Sequence, residues 1–284
     1  MLVITAFSWG LNWPVLKFII HAWPPFTFRV LSGFAGAGFL ACIALARGER
    51  LLPRRDQWTR LAIAAVLNIT SWMGLATLSL YWLDASEAVI IAYTMPIWAA
   101  MLAWPVLGER PTWPRVAGLG LGFAGVAVLL AGQLLSAPAA ALVAKLPGVA
   151  SVMGTALMFA GGAVFTKRYP LQVPPLTNVT WQILIGSLPL LAAALAFDRW
   201  DLSGVDGEGW AAFAYVAVVA LCVSYLAWFR ALALLPASVA ATGTLLVPVI
   251  GVASSAIVLG EPIGVRQVLA LAMTVSGVTL ASRG

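Results

Sequence analysis

Apolar residues run through this chain in ten long blocks, at residues 2–20, 26–46, 59–79, 85–107, 114–133, 148–166, 175–197, 210–232, 236–259 and 264–282. A helix needs about 20 such residues to cross the hydrocarbon of a bilayer, so each block predicts a membrane span. The interruptions carry helix breakers or charge: His21-Ala22-Trp23-Pro24-Pro25, the run from Arg47 to Arg60, Gly108-Glu109-Arg110-Pro111, and Asp198 to Gly209. The stretch from Leu134 to Pro147 holds only Lys145 as a charge and predicts a soft helical linker rather than a sharp turn. Merging blocks eight and nine around Ala231 to Ala237 would leave nine spans and an odd count.

Composition agrees with the pattern. Residues of the set AVILMFWYC make up 62% of the 284 positions and charged residues 9%, too few to cover the surface of a water-soluble protein of this size. The gaps leave no room for an appended soluble domain, so the membrane core itself carries the function. The chain opens at Met1 directly into an apolar run without a basic leader, which predicts a retained first span. A net charge of +6 without an aromatic-interleaved basic face argues against a nucleic-acid partner. Cys42 and Cys222 both fall inside apolar blocks and read as packed small hydrophobes. With His21 the only histidine, no zinc site or other metal is expected, and no cofactor is implied.

Charge instead reports orientation. With the N-terminus in the cytoplasm, 11 of the 16 basic residues fall inside, and Lys17, Arg29, Lys145, Arg199 and Arg266 fall outside. Seven of the ten acids, Asp84, Glu87, Asp198, Asp201, Asp206, Glu208 and Glu261, also fall outside. The excess of internal Lys and Arg places both termini in the cytoplasm.

The two halves repeat one another. At an offset of 150, Thr5-Ala6, Lys17, Pro24-Pro25, Thr27 and Gly36 meet Thr155-Ala156, Lys167, Pro174-Pro175, Thr177 and Gly186. At an offset of 152, Ala85-Ser86, Pro96, Gly108-Glu109 and Gly125-Val126 meet Ala237-Ser238, Pro248, Gly260-Glu261 and Gly277-Val278. Each half holds five spans, so the second must enter the membrane from the opposite side. The expected fold is an all-α integral membrane protein of ten transmembrane helices, arranged as two inverted five-helix repeats around a central cavity. Residues 1–134 form the first repeat, 135–147 the linker and 148–284 the second.

Polar and aromatic residues inside the blocks are the candidates for a solute site, because a transported molecule must exchange water for protein groups. Span one supplies Thr5, Ser8 and Asn12 on one face with Trp9 and Trp13 beside them, and span three supplies Asn68 and Trp72. Tyr93 and Trp98 flank Pro96 in span four. Span seven supplies Asn178, Trp181 and Gln182, and span eight Tyr225 and Trp228. Amide and indole groups can bind the ends and flat side chains of a zwitterion without placing a charge in lipid. Asn68 and Asn178 could equally bridge two helices, and Trp23, Trp58, Trp113, Trp200 and Trp210 sit at span ends as interface anchors. Pro96 and Pro248 stand at matching depths in spans four and nine, and each predicts a hinge. Glycines in spans five and ten, Gly118, Gly120, Gly122, Gly125 and Gly277, permit close packing within one chain or against a second copy.

No Asp or Glu lies squarely inside a block, which favours movement of solute down its own gradient over proton coupling. Glu109 and Glu261 stand at helix ends beside glycine, where structural contacts are expected. Glu87, near the outer end of span four, is the exception to watch.

The pattern Trp9-Gly10-x-Asn12…Lys17…Pro24-Pro25…Arg29, with the repeated Pro…Gly-Glu…Gly of spans four to five and nine to ten, resembles EamA-type drug/metabolite transporters along essentially the whole chain. Length, span number and tryptophan content are most similar to the YddG-type amino-acid exporters of bacterial inner membranes. The resemblance implies alternating access, export, a bacterial inner-membrane location, and small-molecule solutes as partners, with neutral amino acids (aromatic and hydrophobic ones among them) and related metabolites foremost. Efflux of flat organic cations or drugs is the alternative, since an aromatic cavity also suits cation–π contact.

Overall fold

The computed structural model describes residues 1–108, 112–136, 139–224, 226–227 and 246–282, and every regular element among them is helical. Six helices are long and apolar enough to cross a membrane. Elements are numbered here as α1 (Leu2–Ala22), α2 (Pro25–Ala46), α3 (Arg55–Ser79), α4 (Ala85–Leu107), α5 (Trp113–Ser136), α6 (Ala139–Arg168), α7 (Pro175–Phe197), α8 (Gly207–Val223), α9 (Leu246–Leu259) and α10 (Val265–Ser282). The stretch expected as a linker is largely helix, since α6 begins at Ala139. Its alanine-rich sequence has high helix propensity, and Pro147 is carried inside the helix.

Large apolar side chains stand on the outside, with Ile257 83% and Phe197 80% exposed. A water-exposed surface would not tolerate such a ring, whereas a lipid-facing one requires it. Buried inside are a cluster centred on α1, the α3–α4 turn and the first half of α4, and a second between α2, α3, α7 and α8.

Local chemistry sets the helix ends. Pro25 and Pro175 open α2 and α7 at the first helical position, where a missing N–H costs nothing. Gly48, Gly108 and Gly260 end α2, α4 and α9 with φ of 71°, 75° and 68°, a left-handed conformation that side chains avoid. That requirement accounts for the matched Gly108 and Gly260.

The most extensive helix pairings survive exchanging each helix for the one five positions along. α2 packs on α7 and α5 on α10, while α1 on α9 answers α4 on α6. Gly36 of α2 lies against Leu221 and the Ala217 carbonyl of α8, and Gly186 of α7 lies against Ile69 and the Ala65 carbonyl of α3. Asp198, just after α7, accepts from the Thr27 amide at 2.6 Å and its hydroxyl at 2.9 Å. Glu49, just after α2, accepts from the Thr177 amide at 3.3 Å and its hydroxyl at 3.4 Å. Each carboxylate thus caps the other half's helix, where the positive end of the dipole favours it.

The glycines of α5 and α10 zip together within one chain. A Cβ on Gly277 would stand 2.6 Å from the Gly118 carbonyl, and one on Gly125 would stand 3.0 Å from the Ala270 carbonyl. Both obstacles are backbone, which cannot swing away. Replacing Gly277 by valine is therefore expected to cost about 2 kcal/mol or more through overpacking. A thermal melt of the detergent-solubilised protein checks this, alongside Gly120→Ala, whose Cβ meets open space and should leave the midpoint unchanged.

Candidate functional site

Pro96 organises the middle of the bundle. Having no N–H, it cannot donate to the carbonyl four residues back, and α4 accordingly divides into Ala85–Ala92 and Met95–Leu107. Thr94 bridges the two pieces with tighter three-residue bonds, from its amide to the Ile91 carbonyl and from the Ile97 amide to its carbonyl, while the Tyr93 amide keeps its bond to the Val89 carbonyl. The break places Tyr93 opposite Trp72 of α3, edge to face, with centroids 6.2 Å apart. Trp72 also meets Trp13 of α1 at 6.2 Å and Phe159 of α6 at 5.3 Å. Four aromatic rings from four helices therefore converge; Trp13 and Tyr93 are buried and Trp72 is half-buried.

Polar groups border these rings. One turn before Trp72, Asn68 donates through Nδ2 to Gln182 Oε1 at 3.0 Å, and Gln182 donates through Nε2 to Asn178 Oδ1 at 2.9 Å. Gly162 of α6 lies directly against Asn68 Oδ1, so that any side chain at 162 would displace it. On α1, Ser8 and Asn12 are buried, and Asn12 Oδ1 receives no hydrogen bond. An unpaired buried acceptor costs about 1–3 kcal/mol, so this oxygen is a polar group with spare capacity. Trp9 donates its indole N–H to the Ala220 carbonyl at 3.3 Å, and the Tyr215 hydroxyl donates to the Ser8 carbonyl at 2.8 Å.

Ala220 belongs to a run of wide, π-type turns over Tyr215–Val223, and α3 carries another over Val66–Leu75 at the matching place in its half. Such turns are uncommon and recur at functional sites because they misalign carbonyls that other groups must then satisfy. Ser71 in the α3 run shows the same use, with its carbonyl accepting from the Thr155 hydroxyl of α6 at 3.3 Å.

Other candidates go elsewhere. Trp181 donates to the Leu51 carbonyl at 2.5 Å and meets Trp58 at 4.7 Å, near one end of the bundle. There it lines an apolar cavity of about 220 Å³ with Phe34, Gly38 and Leu184. Trp98 is held by the Thr94 hydroxyl at 3.2 Å and turns to Phe123 of α5. Pro248 is buried near the start of α9 as described. Tyr225 and Trp228 lie outside the described residues, as do Glu109 and the residues preceding α9. Trp23, expected as an interface anchor, is buried instead: it stacks on Phe213 at 5.6 Å and donates to the Gly209 carbonyl at 3.1 Å. Having an acceptor of its own inside the bundle, it has no need of the headgroup region.

Sequence reasoning overlooked Phe159 and misjudged Arg29. Phe159 stands 150 residues after Trp9, so the repeat offset carried its signal. Arg29, counted above among the outer charges, is 2% exposed; its Nε donates to Thr77 Oγ1 at 2.6 Å and its Nη2 finds no acceptor. Nothing in its apolar neighbours announced that burial.

Charges gather at the end where α1 finishes. Lys17 donates to the Leu80 and Leu83 carbonyls at 2.6 and 2.7 Å, where the negative end of the α3 dipole favours a cation. Glu261 accepts from the Ala85 and Ser86 amides at 2.7 and 3.0 Å and so caps α4. Glu87 accepts from the Asp84 amide at 3.1 Å and pairs with Lys145 at 2.8 Å. Among the described residues no three metal-ligating side chains converge.

With this geometry in view, comparison with known proteins places the chain. The EamA-like transporter family matches residues 1–131 and again 146–283. The uncharacterized transporter YvbV of Bacillus subtilis is 29% identical over 99% of this chain and 90% of its own length. A protein of Escherichia coli named as a probable amino-acid metabolite efflux pump is 27% identical over 95% of this chain and 89% of its own. A solved crystal structure superposes with a TM-score of 0.71 over 99% of this chain and 96% of that one at 20% identity, a likeness of fold alone. Matched through both halves, this helical membrane protein belongs to the EamA-like transporter family.

Proposed function

We propose that the protein exports neutral amino acids, aromatic and hydrophobic ones among them, and related metabolites across a bacterial inner membrane by alternating access. The observation that carries the reading is the meeting of Trp13, Trp72, Tyr93 and Phe159 at the break in α4, with the Asn68–Gln182–Asn178 chain beside it. Rings supply flat apolar faces, and amides supply donors and acceptors without a fixed charge. The broken α4 supplies a place to bend, since the Thr94 amide has already left regular α-helical bonding for the Ile91 carbonyl.

The architecture proposed for this work is ten spans in two inverted halves, 1–134 and 148–284, around a central cavity, with both termini in the cytoplasm. The matched major helix pairings, the paired glycine contacts and the reciprocal caps of Asp198 and Glu49 support the inversion. The charge bias of the connections supports the orientation. In this frame the Lys17 end faces outward and the Glu49 end inward. Efflux of flat organic cations is the competing reading, and the same rings favour it through cation–π attraction.

Counterflow in proteoliposomes decides between them. Labelled methionine, threonine or tryptophan is expected to enter vesicles preloaded with unlabelled amino acid, saturably and without a pH gradient. Flux confined to organic cations, or none across a broad amino-acid panel, defeats the proposal, and flux that demands a pH gradient defeats the facilitative part.

Within a working transporter, Asn68→Ala is expected to raise the half-saturating concentration by roughly two- to tenfold, the worth of one hydrogen bond. Gly162→Ala should do the same by pushing the Asn68 amide aside. The two together should be no worse than either alone, and additive effects would show that Gly162 acts by another route.

A further inference from the structure

Several segments besides its own helices clamp the α3–α4 turn. Lys17 of α1 holds the carbonyls that end α3, and Glu261 of the α9–α10 connection holds the amides that begin α4. Lys145 of α6 bonds both oxygens of Glu87 at 3.0 and 2.8 Å. Just beyond Lys145, Gly148 presses on the same turn, where a Cβ would come within 2.9 Å of Leu83 and Trp82.

Two of these clamps have counterparts in the repeat. Lys17 answers to Lys167, and Gly260-Glu261 answers to Gly108-Glu109. Glu87 has no such counterpart in the sequence, because the matching position of the second half is Val239, whose side chain carries no charge and accepts no hydrogen bond. The pair is well covered, with the Glu87 side chain 4% and that of Lys145 26% exposed, so water and salt screen it less than a surface pair. Because Glu87 also accepts from the Asp84 amide, the pair grips the beginning of α4 itself, the helix that carries the break.

We propose that Lys145–Glu87 is a latch that biases the transporter toward the state in which this end is shut. Opening this end separates two charges that the closed state holds together at 2.8 Å. With this end facing outward, the favoured state opens inward, from which an exporter must load its solute. That last step rests on the orientation proposed above; the latch itself does not.

The test is a distance measurement by pulsed electron spin resonance in lipid nanodiscs. Nitroxides are placed at Tyr81→Cys and Ile263→Cys, both exposed and on opposite sides of the clamp, in a Cys42→Ser, Cys222→Ala background. The parent is expected to show one short distance. Glu87→Gln keeps an acceptor for the Asp84 amide but removes the charge, and Lys145→Met removes the other partner. Each should raise the ratio of long to short distances by about three- to tenfold, and the double variant should do no more than either single one. Unchanged distances, a shift in only one single variant, or additive shifts overturn the latch. Counterflow on the same preparations separates the two proposals. A shift in distances without amino-acid flux removes the solute reading and keeps the latch, and flux with unmoved distances does the reverse.

Discussion

In a bilayer, every backbone N–H and C=O must find its partner inside the protein, because no water stands by to take its place. Regular helices meet that demand automatically, and several departures from regularity here are met by a particular side chain or backbone group. At the break in α4 the Thr94 hydroxyl and amide both turn to the Ile91 carbonyl. Pro14 withholds an amide from the Gly10 carbonyl, and Ser254 of α9 reaches that carbonyl at 3.5 Å. The wide turns of α3 and α8 loosen carbonyls at Ser71 and Ala220, which Thr155 and Trp9 then satisfy from neighbouring helices. A moving part in such a medium can be built only where replacement partners are at hand. The irregular stretches and the interhelical polar contacts therefore coincide.

The same constraint explains what the sequence made legible. Span positions follow from hydropathy, because nothing else survives in hydrocarbon, and the paired motifs could be read because each does one fixed task twice. Pro24-Pro25 and Pro174-Pro175 start the equivalent helices α2 and α7, Gly108 and Gly260 end α4 and α9 in a left-handed conformation, and Thr27 and Thr177 receive the caps. The site was legible in part. Trp13, Trp72 and Tyr93 do meet, and Asn68, Asn178 and Gln182 do join, since residues one helical turn apart share a face. Trp181 and Trp98 share residue type with these but point to other neighbours, and one sequence carries no rotation angle for a helix that is apolar all round. Arg29 and Trp23 were misplaced for a related reason: being near a span end says nothing about whether a side chain turns to lipid or to protein.

Symmetry and its breaking together make a transporter of such a chain intelligible. In the inverted, alternating-access architecture proposed above, two halves with identical clamps would open either way with equal ease. Conformational bias would then come from positions where the copies have diverged, and those are visible only once the duplicated positions have been aligned. Glu87 against Val239 is one. The caps differ as well, for Asp198 holds Thr27 at 2.6 Å while Glu49 stands 3.3 Å from Thr177. The shorter cap and the Lys145–Glu87 pair both stand at the Lys17 end, where the buried core around the α3–α4 turn also lies. Under the latch proposed above, ionic pair and helix cap act together to hold that end shut, and the difference in free energy between the two open states is a sum of small local terms, each of which a single substitution can reach.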